Sequence, residues 1–202
     1  MTWLCGCWLE PGQFLAATAG HSRKLDGFRC MVCTHAGFRA RSRRGWDMTH
    51  LLPEFRPSVS GGLQVDGELV ALAKDGRPDF HRLSSRMLNG RGGIALTLFV
   101  FDILAVEGLA TTMLPYSERR AILEELDVEN QRVRLVATFE DGEALFAAVC
   151  ARGLEGVVAK RERDPYRSGD RSWVKTKNRA TLALLRNARA WGVGPLLGLA
   201  AD

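Results

Sequence analysis

Apolar and polar residues alternate with a period of two along several short stretches of this chain, which is the signature of half-buried strands. FRCMVC (28–33) and FRARS (38–42) read as two strands joined through His35-Ala36-Gly37, a hairpin signal. LQVDGELVAL (63–72) predicts another strand, and Lys74-Asp75-Gly76-Arg77-Pro78 a turn able to return a further one. ALTLFVFDILA (95–105) is apolar on both faces, which suits a central strand, and the loop Asn89-Gly90-Arg91-Gly92-Gly93 precedes it. GVVAK (156–160) and SWVKTK (172–177) are again strand-like.

Helical spacing emerges in two places. SERRAILEEL, introduced by Pro115 and Ser117, carries Ile122, Leu123 and Leu126 as an apolar stripe. Asp141 can cap a second helix, with Ala144, Leu145, Ala148 and Val149 inward and Gly153 ending it. Strands and helices do not alternate regularly, so the pattern predicts an α+β fold with mostly antiparallel sheets. Leu182, Leu184, Leu185 and Arg186 suggest a short last helix ending before Gly192.

Composition narrows the class. With 202 residues, 46% apolar and 25% charged, the chain suits one sizeable globular domain or at most two small ones. No apolar run approaches the roughly 18–20 residues of a membrane span. The start, MTWLCGCWLEPGQ, lacks a basic region and meets Glu10 and Pro11 too early for a secretory signal, so a cytoplasmic protein is expected. Five scattered cysteines fit reduced thiols. Cys5, Cys7, Cys30 and Cys33 have a spacing that zinc can use, but strand alternation turns Cys30 and Cys33 to opposite faces. The net charge of +5 permits a polyanionic partner without demanding one.

Chemistry concentrates in a few polar positions. KLDGFR (24–29) packs Lys24, Asp26, Gly27 and Arg29 between apolar residues. Val158 and Lys160 share one face of their strand, with Glu155 just before it, and Lys175 and Lys177 share a face of theirs. Neighbouring ammonium groups repel unless an anion sits by them. A solvated lysine fence on an edge strand would look the same, and so would Arg39, Arg41 and Arg43 along theirs.

The joint arrangement goes further. KLDGFR, SRRG (42–45), VDGELV (65–70), FVFDIL (99–104), EGVVAK (155–160) and WVKTK (173–177) occur in this order. The set resembles the ordered motifs of covalent nucleotidyltransferases, above all the adenylation domain of bacterial-type ATP-dependent DNA ligases. The resemblance implies two mostly antiparallel sheets flanked by helices, the ligase/mRNA-capping nucleotidyltransferase (ATP-grasp-like) fold. It divides the chain into an atypical segment 1–20, an adenylation domain 21–178 and a tail 179–202, too short for the five-stranded OB barrel of full-length ligases.

Carried over by position, the resemblance makes Lys24 the nucleophile on the α-phosphate of ATP. Its amine must be neutral to attack, which neighbouring cations such as Arg29 and Lys160 favour. Arg43 would contact ribose or phosphate, and Glu68 ribose or a metal ion. Phe101 and Val158 would sandwich adenine, although a core phenylalanine at 101 looks the same. Glu155 is the foremost ligand for Mg²⁺ or Mn²⁺, and Lys160, Lys175 and Lys177 would neutralise phosphate charge. The implied partner is nicked or broken DNA in repair or recombination, weakly held without the barrel, together with a repair protein that the sequence does not name. The resemblance departs at Ser22, where many such ligases carry a glutamate that recognises adenine, and in the approach from Gly12 to Gly20. Two other readings stay open: a nucleotide- or DNA-end-binding module that does not catalyse, and an RNA ligase or capping-type enzyme.

Overall fold

The apolar run at 95–105 becomes β5 (Leu96–Val106), the backbone of the larger sheet. Its neighbours are β4 (Leu63–Ala71), β2 (Phe28–Cys33) and β3 (Arg39–Ser42) on one side, in the order β3-β2-β4-β5. On its other side lie β6 (Leu109–Ala110) and β7 (Val133–Leu135), the latter paired parallel to β5. A smaller sheet has the order β1-β8-β9, with β1 at Ala19–Lys24, β8 at Gly156–Arg161 and β9 at Val174–Lys177. These elements come from a computed structural model, which describes residues 19–53, 55, 62–90, 92–169 and 172–180. Cys5, Cys7, most of the segment 1–20 and the expected last helix at 182–186 lie outside them.

Among the described residues three α-helices complete the α+β fold: α1 (Phe80–Asn89), α2 (Tyr116–Glu125) and α3 (Gly142–Ala151). The main core lies on one face of the larger sheet, where Cys30, Val32, Val65, Leu69, Leu98 and Ile103 meet Leu83 and Met87 of α1 and Leu123 of α2. A second cluster joins Leu145, Phe146 and Val149 of α3 to Val157 on the back of the smaller sheet.

Besides β6 and β7, which the sequence pattern does not mark, sequence and structure part company at three elements. The turn at 73–77 forms, with the Ala73 N–H donating to the Arg77 carbonyl at 2.8 Å, but it leads into α1 and not into another strand. Asp79 caps α1 by accepting from the Arg82 N–H at 3.0 Å, and Gly90 ends it in the left-handed conformation. On α3 the cap at Asp141 forms, but the buried positions are Gly142, Leu145, Phe146 and Val149, while Ala144 and Ala148 are exposed. The large Phe146 side chain turns the buried stripe by one position relative to the alanines. The third difference is β1, a strand without apolar alternation. Its His21 and Ser22 are nonetheless buried, and His21 exchanges two backbone hydrogen bonds with Phe139, at 2.9 and 2.8 Å.

Candidate active site

Lys24 is the last residue of β1, and after three intervening residues the chain has crossed to β2 of the other sheet. Gly27 makes that crossing possible by close approach: any side chain there would collide with the Leu69 carbonyl oxygen and the Glu68 side chain. Gly156 acts likewise on the smaller sheet, since a Cβ would run into the Thr176 carbonyl of β9. The two glycines let three strand ends converge around Lys24.

Strand register decides which side chains share this space. In the smaller sheet Lys24 pairs with Gly156 and Ser22 with Val158, while Gly156 pairs with Lys177 and Val158 with Lys175. Residues opposite one another, or two apart, point the same way, so Ser22, Lys24, Val158, Lys160, Lys175 and Lys177 occupy one face. In the larger sheet Arg29 pairs with Glu68 and Met31 with Asp66, on the face opposite the core residues Cys30 and Val32. The two faces are in contact: the Lys160 ammonium of one donates to the Phe101 carbonyl of the other at 2.9 Å.

That carbonyl is available because β5 is bulged. Asp66 pairs with Asp102 but Gly67 pairs with Val100, leaving Phe101 without a partner in the ladder. Lys160 lies at 4.0–4.6 Å from the ring centroids of Trp173, Phe101 and Tyr116, and 3.6 Å from Asp102 Oδ2. Burial lowers its pKa to about 8, against the pull of Asp102 and Asp66. Lys160 is therefore 3% exposed, while Lys175 and Lys177 are exposed. Arg119 completes this cluster, donating to Asp102 from Nε at 2.7 Å and Nη2 at 3.1 Å.

Around Lys24 the arrangement is looser. Its ammonium donates to Glu155 Oε1, and both side chains are under one-fifth exposed. Glu155 Oε2 is buried and has no partner. Arg29 grips Asp66 through Nε at 2.9 Å and through Nη2, and Tyr166 donates its hydroxyl to the same carboxylate at 2.8 Å. The Arg29 guanidinium also lies 5.1 Å from the Trp173 ring and 5.4 Å from that of Phe101. Burial raises the Glu68 carboxyl to about 7, with Lys24 and Arg29 pulling it down and Asp66 and Asp26 pushing it up. Lys175 is lowered by burial and then by Lys24, Arg29 and Arg43, which sets Arg43 within electrostatic reach of this cluster although it is exposed in the turn after β3.

The residues here not singled out by sequence include Asp66, Asp102, Arg119, Tyr166, Trp173 and Asn178. Asp102 had a readable signal, a carboxylate inside an apolar strand that must find a cation. Asn178 had none. Its N–H donates to the Glu155 carbonyl at 2.8 Å and its Nδ2 to the Leu154 carbonyl at 3.2 Å, pinning the backbone that carries Glu155.

Two sheets facing each other across a lysine at a strand end, backed by helices, define a nucleotidyltransferase domain of the ligase fold. Solved structures share it: mycobacterial DNA ligase D complexed with ATP and MES aligns with a TM-score of 0.70 and 32% identity over 80% of this chain and 55% of that one. The ligase domain from M. tuberculosis LigD aligns equally well, over 54% of its own length. Residues 14–177 match the ATP dependent DNA ligase domain, and the chain belongs to that family. It is 40% identical over 163 residues to the multifunctional non-homologous end joining protein LigD of Pseudomonas aeruginosa, covering 76% of this chain and 19% of that protein. It is 37% identical over 181 residues to a probable DNA ligase of Nocardioides sp., covering 85% of this chain and 35% of that one. The chain thus spans about a fifth to a third of these relatives.

Proposed function

We propose that this domain adenylates itself on Lys24 with ATP and transfers the AMP to the 5′-phosphate of broken DNA for sealing. The observation that carries the reading is the position of Lys24, at the cleft end of β1, hydrogen-bonded to Glu155 and on one face with Lys175 and Lys177. In the first step the Lys24 amine forms a bond to the α-phosphorus while the bond to the bridging oxygen breaks, and pyrophosphate departs. The Lys24 ammonium first gives up a proton, and the Glu155 carboxylate is the acceptor at hand. A 5′-phosphate oxygen then displaces Lys24 from the phosphorus, and a 3′-hydroxyl finally displaces AMP to close the strand. Lys175 and Lys177 meet the charge of the phosphates, and Arg43 stands at the rim to do the same. Phe101 and Val158 line the part of the cleft assigned to adenine.

The residues fit a divalent cation. Among the described residues no cluster of three or more His, Cys, Asp or Glu could hold one by itself. Mg²⁺ asks for less, one or two carboxylates plus substrate phosphates and water. The partnerless Oε2 of Glu155, and Glu68 within electrostatic reach of the same Lys24, supply that. Bound there, Mg²⁺ or Mn²⁺ would neutralise charge on the triphosphate.

The names of the LigD relatives, and the ATP in the mycobacterial ligase D complex, support ATP as the donor and break repair as the setting. A DNA substrate would place the protein in the cytoplasm, and no described helix is long and apolar enough to cross a membrane. Intact mass after incubation with ATP and Mg²⁺ tests the reading. A single AMP adduct is expected for the wild type and none for Lys24→Ala. Equal labelling of both would refute the assignment of the nucleophile.

A further inference from the structure

Arg39 and Arg41 are placed by register, not by the site chemistry. On β3 they pair with Cys33 and Met31, and Met31 pairs with Asp66. They therefore point to the same side of the larger sheet as Arg29 and Glu68, while Ala40 between them is buried in the core. Both are exposed, and among the described residues neither guanidinium makes a hydrogen bond or an ion pair. Along β3 they lie about 7 Å apart, two strand rises, and Arg43 follows in the turn, within electrostatic reach of Lys175. Trp46, 41% exposed, lies opposite Ser42 in the returning segment and so on the other face.

An arginine fence can instead guard a strand edge against pairing with other chains. Here that edge is already covered. The Ser42 N–H donates to the Trp46 carbonyl at 2.9 Å and the Met48 N–H to the Ala40 carbonyl at 2.9 Å, so the returning segment takes the outer edge of β3. The edge does not need the charges. Asp47 stands opposite Arg41 and is the carboxylate near them. Its pKa is held down by hydrogen bonds from Thr49, with Arg39 and Arg41 adding to the effect, so the arginines already act on one anion here.

We propose that Arg39 and Arg41 form a track on the cleft side of β3 that holds the sugar-phosphate backbone of the DNA strand leading to Lys24. The proposal rests on the DNA-sealing reading. The two arginines meet successive phosphates.

The test measures binding of a fluorescent nicked duplex to the full chain across a salt series. Arg39→Gln/Arg41→Gln should weaken binding about tenfold at low salt and flatten the plot of log affinity against log salt by about two units, one per lost phosphate contact. Arg39→Lys/Arg41→Lys should keep the slope, and Trp46→Ala, on the other face, should leave binding and slope unchanged. Self-adenylation should be unaffected in all three. An unchanged slope in the glutamine variant overturns the track, as does wild-type binding too weak to measure at the lowest salt. Loss of self-adenylation, or assembly into oligomers with DNA affinity intact, overturns it too, because the arginines would then serve the nucleotide site or the strand edge. A wild type that binds with the expected slope but forms no AMP adduct refutes the proposed catalysis and leaves the track standing.

Discussion

Asp102 and Glu155 are both carboxylates paired with cations in the same cleft, yet their surroundings are opposite. Asp102 is 1% exposed and receives the Nε and Nη2 hydrogens of Arg119, the N–H of Ile103 at 3.0 Å, and the Lys160 ammonium at 3.6 Å. Arg119 in turn donates from Nη1 to the carbonyls of Leu114 at 2.5 Å and Asp164 at 3.1 Å. Around Glu155 one oxygen holds Lys24 and the other is buried without a partner. The satisfied cluster ties α2, β5 and β8 together and offers nothing to a ligand. The unsatisfied one is poorly optimised for stability, which is the state expected of a group kept for a substrate or an ion. Stability and reactivity are thus assigned to neighbouring carboxylates by how completely each is paired.

Isosteric substitutions separate the two. Asp102→Asn leaves two buried cations without a counter-charge, and breaking a buried pair in this way costs about 3–5 kcal/mol. Urea unfolding should show that loss. Glu155→Gln releases a lysine that can turn toward water, so its stability should change by about 1 kcal/mol or less, in the range of exposed pairs. Its AMP adduct should nevertheless fall to background. Equal destabilisation by the two variants would erase the distinction, and an active Glu155→Gln protein would reverse it.

The same contrast governs what could be read from the sequence. Strands with regular alternation, such as FRCMVC, were legible because one face is core and the other is cleft. β1 was not, because its buried His21 and Ser22 owe their burial to the facing sheet and to Phe139, which lies 118 residues away. α1 was hidden because Phe80, Leu83 and Met87 are diluted by His81, Arg82, Ser84 and Ser85, although Asp79 and Gly90 mark its ends. Polar positions in the cleft were legible where they stood in ordered motifs. The residues that hold those positions in place were not, since Arg119, Tyr166 and Asn178 act through contacts that no local pattern encodes.

Asn178 tests whether such support matters to the open cluster. Its Nδ2 holds the Leu154 carbonyl, while its Oδ1 accepts from the Ala180 N–H at 3.1 Å. Asn178→Asp keeps the acceptor and loses the donor, and Asn178→Ala loses both. Each should raise the Mg²⁺ concentration for half-maximal self-adenylation about fivefold, the equivalent of one lost hydrogen bond of about 1 kcal/mol, with a smaller change in KM for ATP. A drop in Tm without a change in the Mg²⁺ requirement would make Asn178 a purely structural tie.

The smallest effect concerns Glu68, whose carboxyl is raised from 4.5 to about 7 because burial outweighs Lys24 and Arg29. The folded protein therefore binds this proton more tightly than the unfolded chain does. The stability this contributes is complete below about pH 4.5 and is lost as pH rises through about 7. Glu68→Gln cannot ionise, so its Tm relative to wild type should climb between pH 5 and pH 8. A domain of this size shifts by about 2–4 °C per kcal/mol, which makes a difference of a few degrees readable. Taking the difference between the two proteins cancels the titration of every other group that the substitution does not touch. A Glu68→Gln protein less stable than wild type at pH 8 would mean that the ionised carboxylate is held by Lys24 and Arg29 more strongly than burial opposes it. Glu68 would then belong with Asp102, among the carboxylates whose pairing supports the fold.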